Sequence, residues 1–273
     1  MARVPANLRQ IESLVEIVSS LRGPNGCPWD KEQTHESLTQ YAIEETHELV
    51  EAIEHPESTQ KDLKMKEELG DVLFQVVLHA QLASERGAFT LDDVIASISE
   101  KLVRRHPHVF AGTAVTDSAE VVRNWEDIKK QEKANEGEVS PYALNVPPLP
   151  ALQRAYKIGK RTDKLQFDWD NAEGVMVKVE EEFAELREAL DEDSASEIEH
   201  ELGDVLFSLA QLGRHLEMEP EQVLRKANTR FEGRFNKMIE IAKSEGKDWG
   251  ALTLDEKEAF WLKAKALLKN KTP

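Results

Sequence analysis

Two pairs of acidic residues in the second half of the chain have the spacing of a metal site. Glu182 and Glu185 are three positions apart, and so are Glu201 and Asp204. Residues three apart lie on the same face of a helix. If the chain turns back at roughly residues 190–198, two antiparallel helices direct all four carboxylates into one gap, as in carboxylate metal sites inside helical bundles.

Such a group of carboxylates needs compensating positive charge. Two like charges about 4 Å apart repel by about 4 kcal/mol at an effective dielectric constant near 20. Protons or bound cations must therefore offset the cluster. An all-oxygen set, without thiolate or imidazole at matching spacing, favours Mg²⁺ or Mn²⁺ over Zn²⁺. Because Mg²⁺ usually pairs with substrate phosphates, the site suits phosphate chemistry.

The helix predicted from residue 201 onwards carries a further indication. Residues 205–212 are apolar on nearly every side, which predicts a mostly buried helix, and Gly203 in its interior suggests close packing. Acids at the edge of a buried helix are not ordinary solvated charges. A lone acidic run is usually a solvated helix face, so the metal interpretation depends on this combination. The polar stripe of the helix comprises Glu201, Asp204, Ser208 and Gln211.

The same arrangement occurs earlier in the chain, which indicates an internal duplication. The heptapeptide at residues 68–74 recurs letter for letter at 201–207, and the EExxE run at 44–48 recurs as EExxE at 181–185. We therefore predict two tandem modules. The corresponding acids of the first copy are Glu45, Glu48, Glu68 and Asp71. Other matches are Pro28-Trp29-Asp30 with Asp168-Trp169-Asp170, Lys101 and Arg105 with Arg230 and Arg234, and Trp125 and Lys129 with Trp261 and Lys265.

Most of the sequence predicts helix, and hence an all-α fold. Apolar residues recur three and four apart, and sustained alternation of β-branched residues is lacking. Thr90 precedes a first turn with two acids and is a predicted N-cap. Residues 135–150, with prolines and a glycine among polar residues, are predicted to link modules at 1–134 and 151–273. The helices predicted in the first module span residues 7–21, 37–53, 61–85, 91–105 and 118–134.

Composition argues against several classes of protein. The 273 residues include 52 acidic and 35 basic side chains, a net charge of −17. This excess argues against direct binding of nucleic acid or of an anionic membrane surface, and a phosphate-bearing substrate needs cations between it and the carboxylates. The single cysteine excludes an intramolecular disulfide, and no stretch approaches the ~20 apolar residues of a membrane span. We therefore predict a cytoplasmic protein.

At its acidic motifs the sequence closely resembles the MazG family of nucleoside triphosphate pyrophosphohydrolases. The signature of that family is EExxE followed at moderate distance by ExxD. Both copies carry it, at residues 44–48 with 68–71 and at 181–185 with 201–204. The stretch at residues 26–34 is similar to a further segment of the two-module bacterial members, as is the stretch at 104–110. The resemblance spans essentially the whole chain.

The resemblance implies an all-α, domain-intertwined homodimer with a bundle-type carboxylate site in each module. Its members convert nucleoside triphosphates to monophosphates and pyrophosphate with Mg²⁺. In two-module relatives the C-terminal module is regarded as the main catalytic one. Carried over by position, the metal ligands are Glu182, Glu185, Glu201 and Asp204, with a second set at Glu45, Glu48, Glu68 and Asp71.

Other roles follow from the same resemblance. Bound cations would acidify a coordinated water, which attacks the α-phosphorus, or else Glu181 or Glu182 accepts the proton of that water. Lys178, one turn before Glu182, is expected to face the phosphates. Arg230 and Arg234 resemble a phosphate clamp, although relatives often have Lys at the first position.

Several assignments stay open at the level of sequence. Trp261 with Lys265 could stack a base and hold a phosphate or ribose, or Trp261 could anchor a helix in the core. Trp169 could line a base pocket or serve packing, and His200 is expected at the surface or in a local hydrogen bond. A narrow pyrophosphatase for dNTPs or modified nucleotides is one rival function. A nucleotide-sensing regulatory protein with one non-catalytic module is the other, although neither module has lost its acids.

Overall fold

The computed structural model describes residues 3–54, 59–135 and 142–269. Within these ranges the chain forms twelve α-helices, one short 3-10 helix and no β-strand, so the predicted all-α class is confirmed. The chain divides into two compact units, Met1–Gly137 and Glu138–Pro273, called here the N-terminal and C-terminal units. Residues 136–141, in the first half of the predicted linker, lie outside the described residues. No helix in the described ranges is long and apolar enough to cross a membrane.

The N-terminal unit is organised around an antiparallel pair of helices. Helices α3 and α4 pack along each other, and α1 packs against α4. Their shared core is apolar, and each fully buried aliphatic side chain stabilises the fold by about 1.5–3 kcal/mol. The core residues are Val18, Leu38, Val77, Leu78 and Leu82. The helices are α1 (Ile11–Arg22), α2 (Pro28–Glu32), α3 (Thr39–Glu54), α4 (Thr59–Glu85), α5 (Leu91–Arg105), α6 (Pro107–Phe110) and α7 (Ser118–Asn135).

The C-terminal unit repeats this plan. Helices α9 and α10 form the antiparallel pair, α8 packs against α10, and α11 packs against α12. The second apolar cluster, between α11 and α12, comprises Met238, Ala242, Leu252, Phe260 and Ala264. The helices are α8 (Ala151–Asp163), α9 (Ala172–Asp191), α10 (Ala195–His215), α11 (Pro220–Ser244) and α12 (Leu254–Lys269), with the 3-10 helix at Trp249–Ala251.

Local signals fix several of the helix starts. Thr90 is the N-cap of α5, as predicted, and forms a capping box with Asp93. Its backbone N–H donates to Asp93 Oδ2 at 2.8 Å, and its hydroxyl accepts from the Asp93 N–H at 3.3 Å. Asn171 caps α9, because its Oδ1 accepts from the Gly174 N–H at 2.9 Å. A cap of this kind contributes about 0.5–2 kcal/mol.

The helices of the N-terminal unit lie close to the predicted ranges, and the largest differences from the prediction are at the start of α1 and in the turn between α9 and α10. The first helix begins at Ile11 rather than residue 7, because Asn7 forms a turn in which its Oδ1 accepts from the Arg9 N–H at 3.1 Å. The turn between α9 and α10 spans only residues 192–194 rather than roughly 190–198. Asp193 takes a left-handed conformation there, with φ of 53°, which lets the chain reverse within three residues.

The prediction that α10 is mostly buried is wrong within a single chain. The exposed fractions of Leu202, Leu206 and Leu209 are 47%, 48% and 39%. A Cβ added to Gly203 would meet no atom within 4 Å, so the close packing inferred from this glycine is also absent. One apolar side of α10 therefore points outwards, because the remaining helices of the unit cover only its other side.

Candidate active site

The C-terminal unit brings three of the four predicted metal ligands together. One carboxylate oxygen from each of Glu182, Glu201 and Asp204 lies within 4.8 Å of the other two. Glu182 is buried, in the same stripe of α9 as Val175 and Val179, so the packing of α9 against α10 fixes its position. The α9–α10 hairpin thus converts the spacing in the sequence into one carboxylate group.

The fourth predicted ligand, Glu185, borders this group without joining it. Loss of hydration raises the pKa of Glu185, and repulsion by Glu182, together with a hydrogen bond between the two carboxyl groups, raises it further. Glu181 is exposed and lies outside the group. The local field therefore favours either a proton or a cation between Glu182 and Glu185.

Two basic side chains, Lys178 and His200, lie against these acids in the structure. The ammonium group of Lys178 lies 2.8 Å from Glu181 Oε1 and 2.9 Å from Glu182 Oε1, and these hydrogen bonds raise the pKa of Lys178. His200 Nδ1 lies 3.1 Å from Glu201 Oε1, and its Nε2 lies 3.6 Å from Asp204 Oδ2. The hydrogen bond to Glu201 and the charge of Asp204 raise the pKa of His200.

The position of His200 was not expected from the sequence. Its local hydrogen bond agrees with the predicted surface role, but its contact with both acids of α10 was missed. The four-residue spacing between His200 and Asp204 is the signal that could have indicated it. For Lys178, the predicted contact with phosphates stays a prediction, since its contacts in the structure are with carboxylates.

The N-terminal unit assembles a matching group of acids. Oxygens of Glu45, Glu48 and Glu68 lie within 4.8 Å of one another, and Glu68 is buried. Loss of hydration raises the pKa of Glu45, and the charge of Asp71 raises it further, so the fourth predicted acid also acts on the group. Loss of hydration and the charge of Glu48 raise the pKa of Glu68.

Both acid groups fit a hard divalent cation. All donors are carboxylate oxygens, two of the acids are buried, and the mutual repulsion is relieved by a charge of two or more. The imidazole of His200 also lies against Glu201 and forms with Glu197 and Glu201 a further group that could hold an ion, so the preference for Mg²⁺ or Mn²⁺ stays a prediction. Exposed acidic groups are common in proteins without an ion, so the buried Glu182 and Glu68 carry this argument.

The pairing of α11 with α12 brings Arg234 and Trp261 together. The guanidinium carbon of Arg234 lies 5.8 Å from the centre of the Trp261 ring. Trp261 is half-buried, contacts Phe231 at a ring-centre distance of 5.2 Å and packs against the apolar cluster of this helix pair. It therefore has the core role that the sequence left open, with one part of its ring available to a cation. Arg230 and Lys265 are exposed.

A cavity beside the acids was only partly expected. Its volume is about 290 Å³, and Phe207 on its wall follows Asp204 by three positions on α10. Trp169 lines it, and the first of the two roles considered for this residue, lining a base pocket, stays a prediction. The lining residues are Ile158, Gly159, Thr162, Phe167, Asp168, Trp169, Phe207 and Gln211.

A buried polar network holds one wall of this cavity. Gln211 is fully buried; its Nε2 donates to the Ala155 carbonyl at 2.8 Å and its Oε1 accepts from Arg214 Nε at 2.9 Å. Gln211 therefore faces α8, not the acids, contrary to the stripe drawn from the sequence. Arg214 binds Asp168 with both terminal nitrogens of its guanidinium. A Cβ on Gly159 would overlap the Gln211 amide, so this position requires glycine.

Comparison with known proteins agrees with this geometry. A family model described as the MazG nucleotide pyrophosphohydrolase domain matches residues 33–110 and 171–239, which contain both acidic helix pairs. The chain is 47% identical over 259 residues to the nucleoside triphosphate pyrophosphohydrolase/pyrophosphatase MazG of Thermotoga maritima, covering 93% of this chain and 95% of that relative. It is 42% identical over 265 residues to the nucleoside triphosphate pyrophosphohydrolase of Escherichia coli K12, covering 94% and 98%. The resemblance drawn from the motifs is thus confirmed, and the chain belongs to the MazG family of nucleotide pyrophosphohydrolases.

Proposed function

We propose that the C-terminal unit is the main catalytic centre and hydrolyses nucleoside triphosphates at the α–β bond with Mg²⁺. The products are a nucleoside monophosphate and pyrophosphate. The observation that carries the proposal is the convergence of Glu182, Glu201 and Asp204, with oxygens within 4.8 Å of one another. Two relatives that align with almost the whole chain are named for this activity, which supports it.

We assign a role in this reaction to each residue of the site from its position. Glu182, Glu201 and Asp204, with Glu185 beside them, would hold the cation, which supplies charge neutralisation and an acidified water when bound. Lys178 lies against Glu182, so a phosphate brought to these acids meets its ammonium group. Glu181 is exposed next to Glu182 and can accept the proton of the attacking water. Water attack at the α-phosphorus then releases pyrophosphate.

The cavity beside the acids is our proposed place for the nucleobase. Phe207 and Trp169 offer aromatic faces, and stacking a base on such a face is worth about 1–3 kcal/mol. Asp168 holds the wall of the cavity through its ion pair with Arg214. The alternative place is Trp261, whose ring is partly occupied by its packing and by Arg234. Arg230 and Arg234 would bind the outer phosphates, and Lys265 the ribose or a phosphate.

We also propose that two chains associate as a homodimer in the cytoplasm. The outward leucines of α10, namely Leu202, Leu206 and Leu209, form an apolar strip next to the acids. Gly203 leaves room on the same helix for close approach of another helix. An apolar strip of this kind is a typical subunit contact. The net charge of −17 opposes direct nucleic-acid binding.

A second candidate function concerns the N-terminal unit alone. The repeat places Tyr41 where the C-terminal unit has Lys178, and Tyr41 packs against the apolar core. Without this lysine the N-terminal acids lack one of the cations found at the C-terminal site. A metal-binding role without turnover therefore suits the N-terminal unit.

Identification of the products tests the main proposal. ATP and Mg²⁺ are incubated with the protein and resolved by ion-exchange chromatography. AMP with pyrophosphate is the expected result, and ADP with phosphate would reject the proposed bond. The Glu201→Gln variant is the matched control, because it keeps the size of the side chain and removes one charge. A panel of NTPs and dNTPs then separates a general enzyme from a narrow dNTP or modified-nucleotide enzyme.

A further inference from the structure

The two units share one arginine–tryptophan contact with the same geometry. In the N-terminal unit the guanidinium carbon of Arg105, on α5, lies 5.5 Å from the ring centre of Trp125, on α7. In the C-terminal unit the corresponding distance, from Arg234 to Trp261, is 5.8 Å. These are the residues that the internal repeat pairs. Positions counted from the two tryptophans can therefore be compared directly.

Seven positions after each tryptophan the units differ in charge. The N-terminal unit has Glu132 there, and the C-terminal unit has Leu268. Glu132 Oε2 accepts from Arg105 Nη2 at 2.5 Å and from Arg105 Nε at 3.1 Å. Its Oε1 accepts from Arg104 Nε at 2.7 Å. One carboxylate thus engages two adjacent arginines.

Glu132 carries its negative charge at physiological pH. The hydrogen bonds from Arg105, and then those from Arg104, lower the pKa of Glu132 to about 2. The side chains of Arg105 and Glu132 are each only 19% exposed, so water competes little for the pair. Two parallel N–H donors on one carboxylate form the strongest arrangement available to an arginine.

The counterpart of Arg105 in the C-terminal unit is Arg234, and the counterpart of Arg104 is Gly233, so that unit has no second adjacent arginine at this place. Among the described residues, neither Arg230 nor Arg234 forms an ion pair with a carboxylate, and the described side chain at position 268 is apolar. A guanidinium binds phosphate and carboxylate through the same planar fork. In the N-terminal unit, Glu132 therefore occupies the donors that a phosphate group would use.

We propose that Glu132 is an internal anion that occupies the basic clamp of the N-terminal unit and prevents this unit from holding a triphosphate. The proposal rests on the proposed function, since Arg234 is taken as the working phosphate clamp of the other unit. According to this proposal, the difference in triphosphate binding between the two units depends on one position of the repeat, residue 132 in the first unit and residue 268 in the second. Both units keep their acids. Among the described residues, a carboxylate binds the arginine of the N-terminal unit but not Arg234 of the C-terminal unit.

Calorimetric titration with α,β-methylene-ATP and Mg²⁺ tests the proposal on the full chain. We expect one binding site per wild-type chain and a second site in Glu132→Leu, with affinity at the N-terminal unit raised on the order of tenfold or more. Glu132→Gln keeps the length of the side chain and should also raise the affinity of the N-terminal unit, so it replaces the leucine variant if that variant folds poorly. The control is Glu100→Gln on α5, where an exposed carboxylate is removed and no new site is expected. Unchanged stoichiometry in both Glu132 variants would overturn the proposal.

The reciprocal exchange tests the same idea at the C-terminal unit. Leu268→Glu should raise KM for the nucleotide by about tenfold and change kcat less, because the new carboxylate competes for Arg234. Leu267→Glu adds the same charge at the neighbouring exposed position and should leave KM near the wild-type value. A wild-type chain that makes no AMP and pyrophosphate rejects the proposed function. An active wild type with no gain of a site in the Glu132 variants rejects only the role of Glu132.

Discussion

The two units use the same acidic hairpin but balance its charge differently. In the C-terminal unit, Lys178 contacts Glu182, and His200 contacts the acids of α10. In the N-terminal unit the repeat places Tyr41 and Glu67 at these two positions. Loss of hydration, and then repulsion by neighbouring acids, raises the pKa of Glu45 and of Glu68, while the charge of Lys64 acts in the opposite direction on Glu68.

The basic residues show the opposite difference. The N-terminal Arg105 is bound by Glu132, whereas the C-terminal Arg234 lies on Trp261 with no carboxylate partner among the described residues. The N-terminal unit therefore combines acids that lack the lysine contact of the C-terminal site with an arginine that a carboxylate binds. In the C-terminal unit, by contrast, the acids have a lysine contact and Arg234 has no carboxylate partner in the part of the chain that the structure describes. We therefore propose that the surrounding cations, and not the acidic motif alone, determine which copy turns over substrate.

The largest expected difference between the units concerns activity. Glu182→Gln removes the buried acid of the C-terminal group and should lower kcat/KM for NTP hydrolysis by more than about a hundredfold, since it removes a proposed metal ligand. Glu45→Gln, at the matching N-terminal position, should cost less than about threefold. Initial rates of pyrophosphate release measure both variants. Equal losses in the two would contradict the assignment of catalysis to the C-terminal unit.

Prediction from sequence succeeded where spacing within one helix decides geometry. The three-residue intervals of Glu201 and Asp204 placed both on one face of α10, and Thr90 with Asp93 fixed the start of α5. The Arg214–Asp168 pair was missed, because its residues are 46 positions apart and no local pattern links them. The outward face of α10 was also missed, since an apolar pattern does not tell which protein surface covers Leu206.

The next largest difference concerns stability. Arg214 and Asp168 have side chains only 7% and 14% exposed, so Asp168→Asn, which leaves a buried arginine unpaired, should lower the free energy of unfolding by about 3 kcal/mol. The N-terminal ion pair of Arg22 with Glu85 is more solvated at Glu85, which is 37% exposed, and Glu85→Gln should cost about 1 kcal/mol or less. Urea unfolding measures both. A larger loss in the Glu85 variant would reverse this ranking of the two pairs.

Removal of Lys178 should separate metal binding from catalysis. Lys178→Met takes away a cation that now pairs with Glu182, so Mn²⁺ should bind the C-terminal acids a few-fold more tightly. Turnover should nevertheless fall by about tenfold, because the phosphates lose a positive partner. Electron paramagnetic resonance of free Mn²⁺ reports the first effect, and pyrophosphate release the second. Tyr41→Phe at the matching N-terminal position is the control, and weaker Mn²⁺ binding in the lysine variant would contradict the idea.

The smallest expected effect is a pH dependence carried by Glu132. Its hydrogen bonds with Arg105, and then with Arg104, lower its pKa to about 2, below the ordinary value near 4.5. A group whose pKa is lower in the folded chain stabilises the fold above its unfolded pKa, and that contribution is lost as the pH falls towards the folded value. Wild type should therefore unfold at lower pH than Glu132→Gln, and the difference in stability between them should shrink between about pH 4.5 and about pH 2. Circular dichroism along an acid titration measures this difference. Glu100→Gln removes an exposed carboxylate outside the pair, and its acid unfolding curve should follow that of the wild type. If its curve instead coincided with that of Glu132→Gln, the loss of one negative charge, and not the arginine contact, would set the acid stability of this unit.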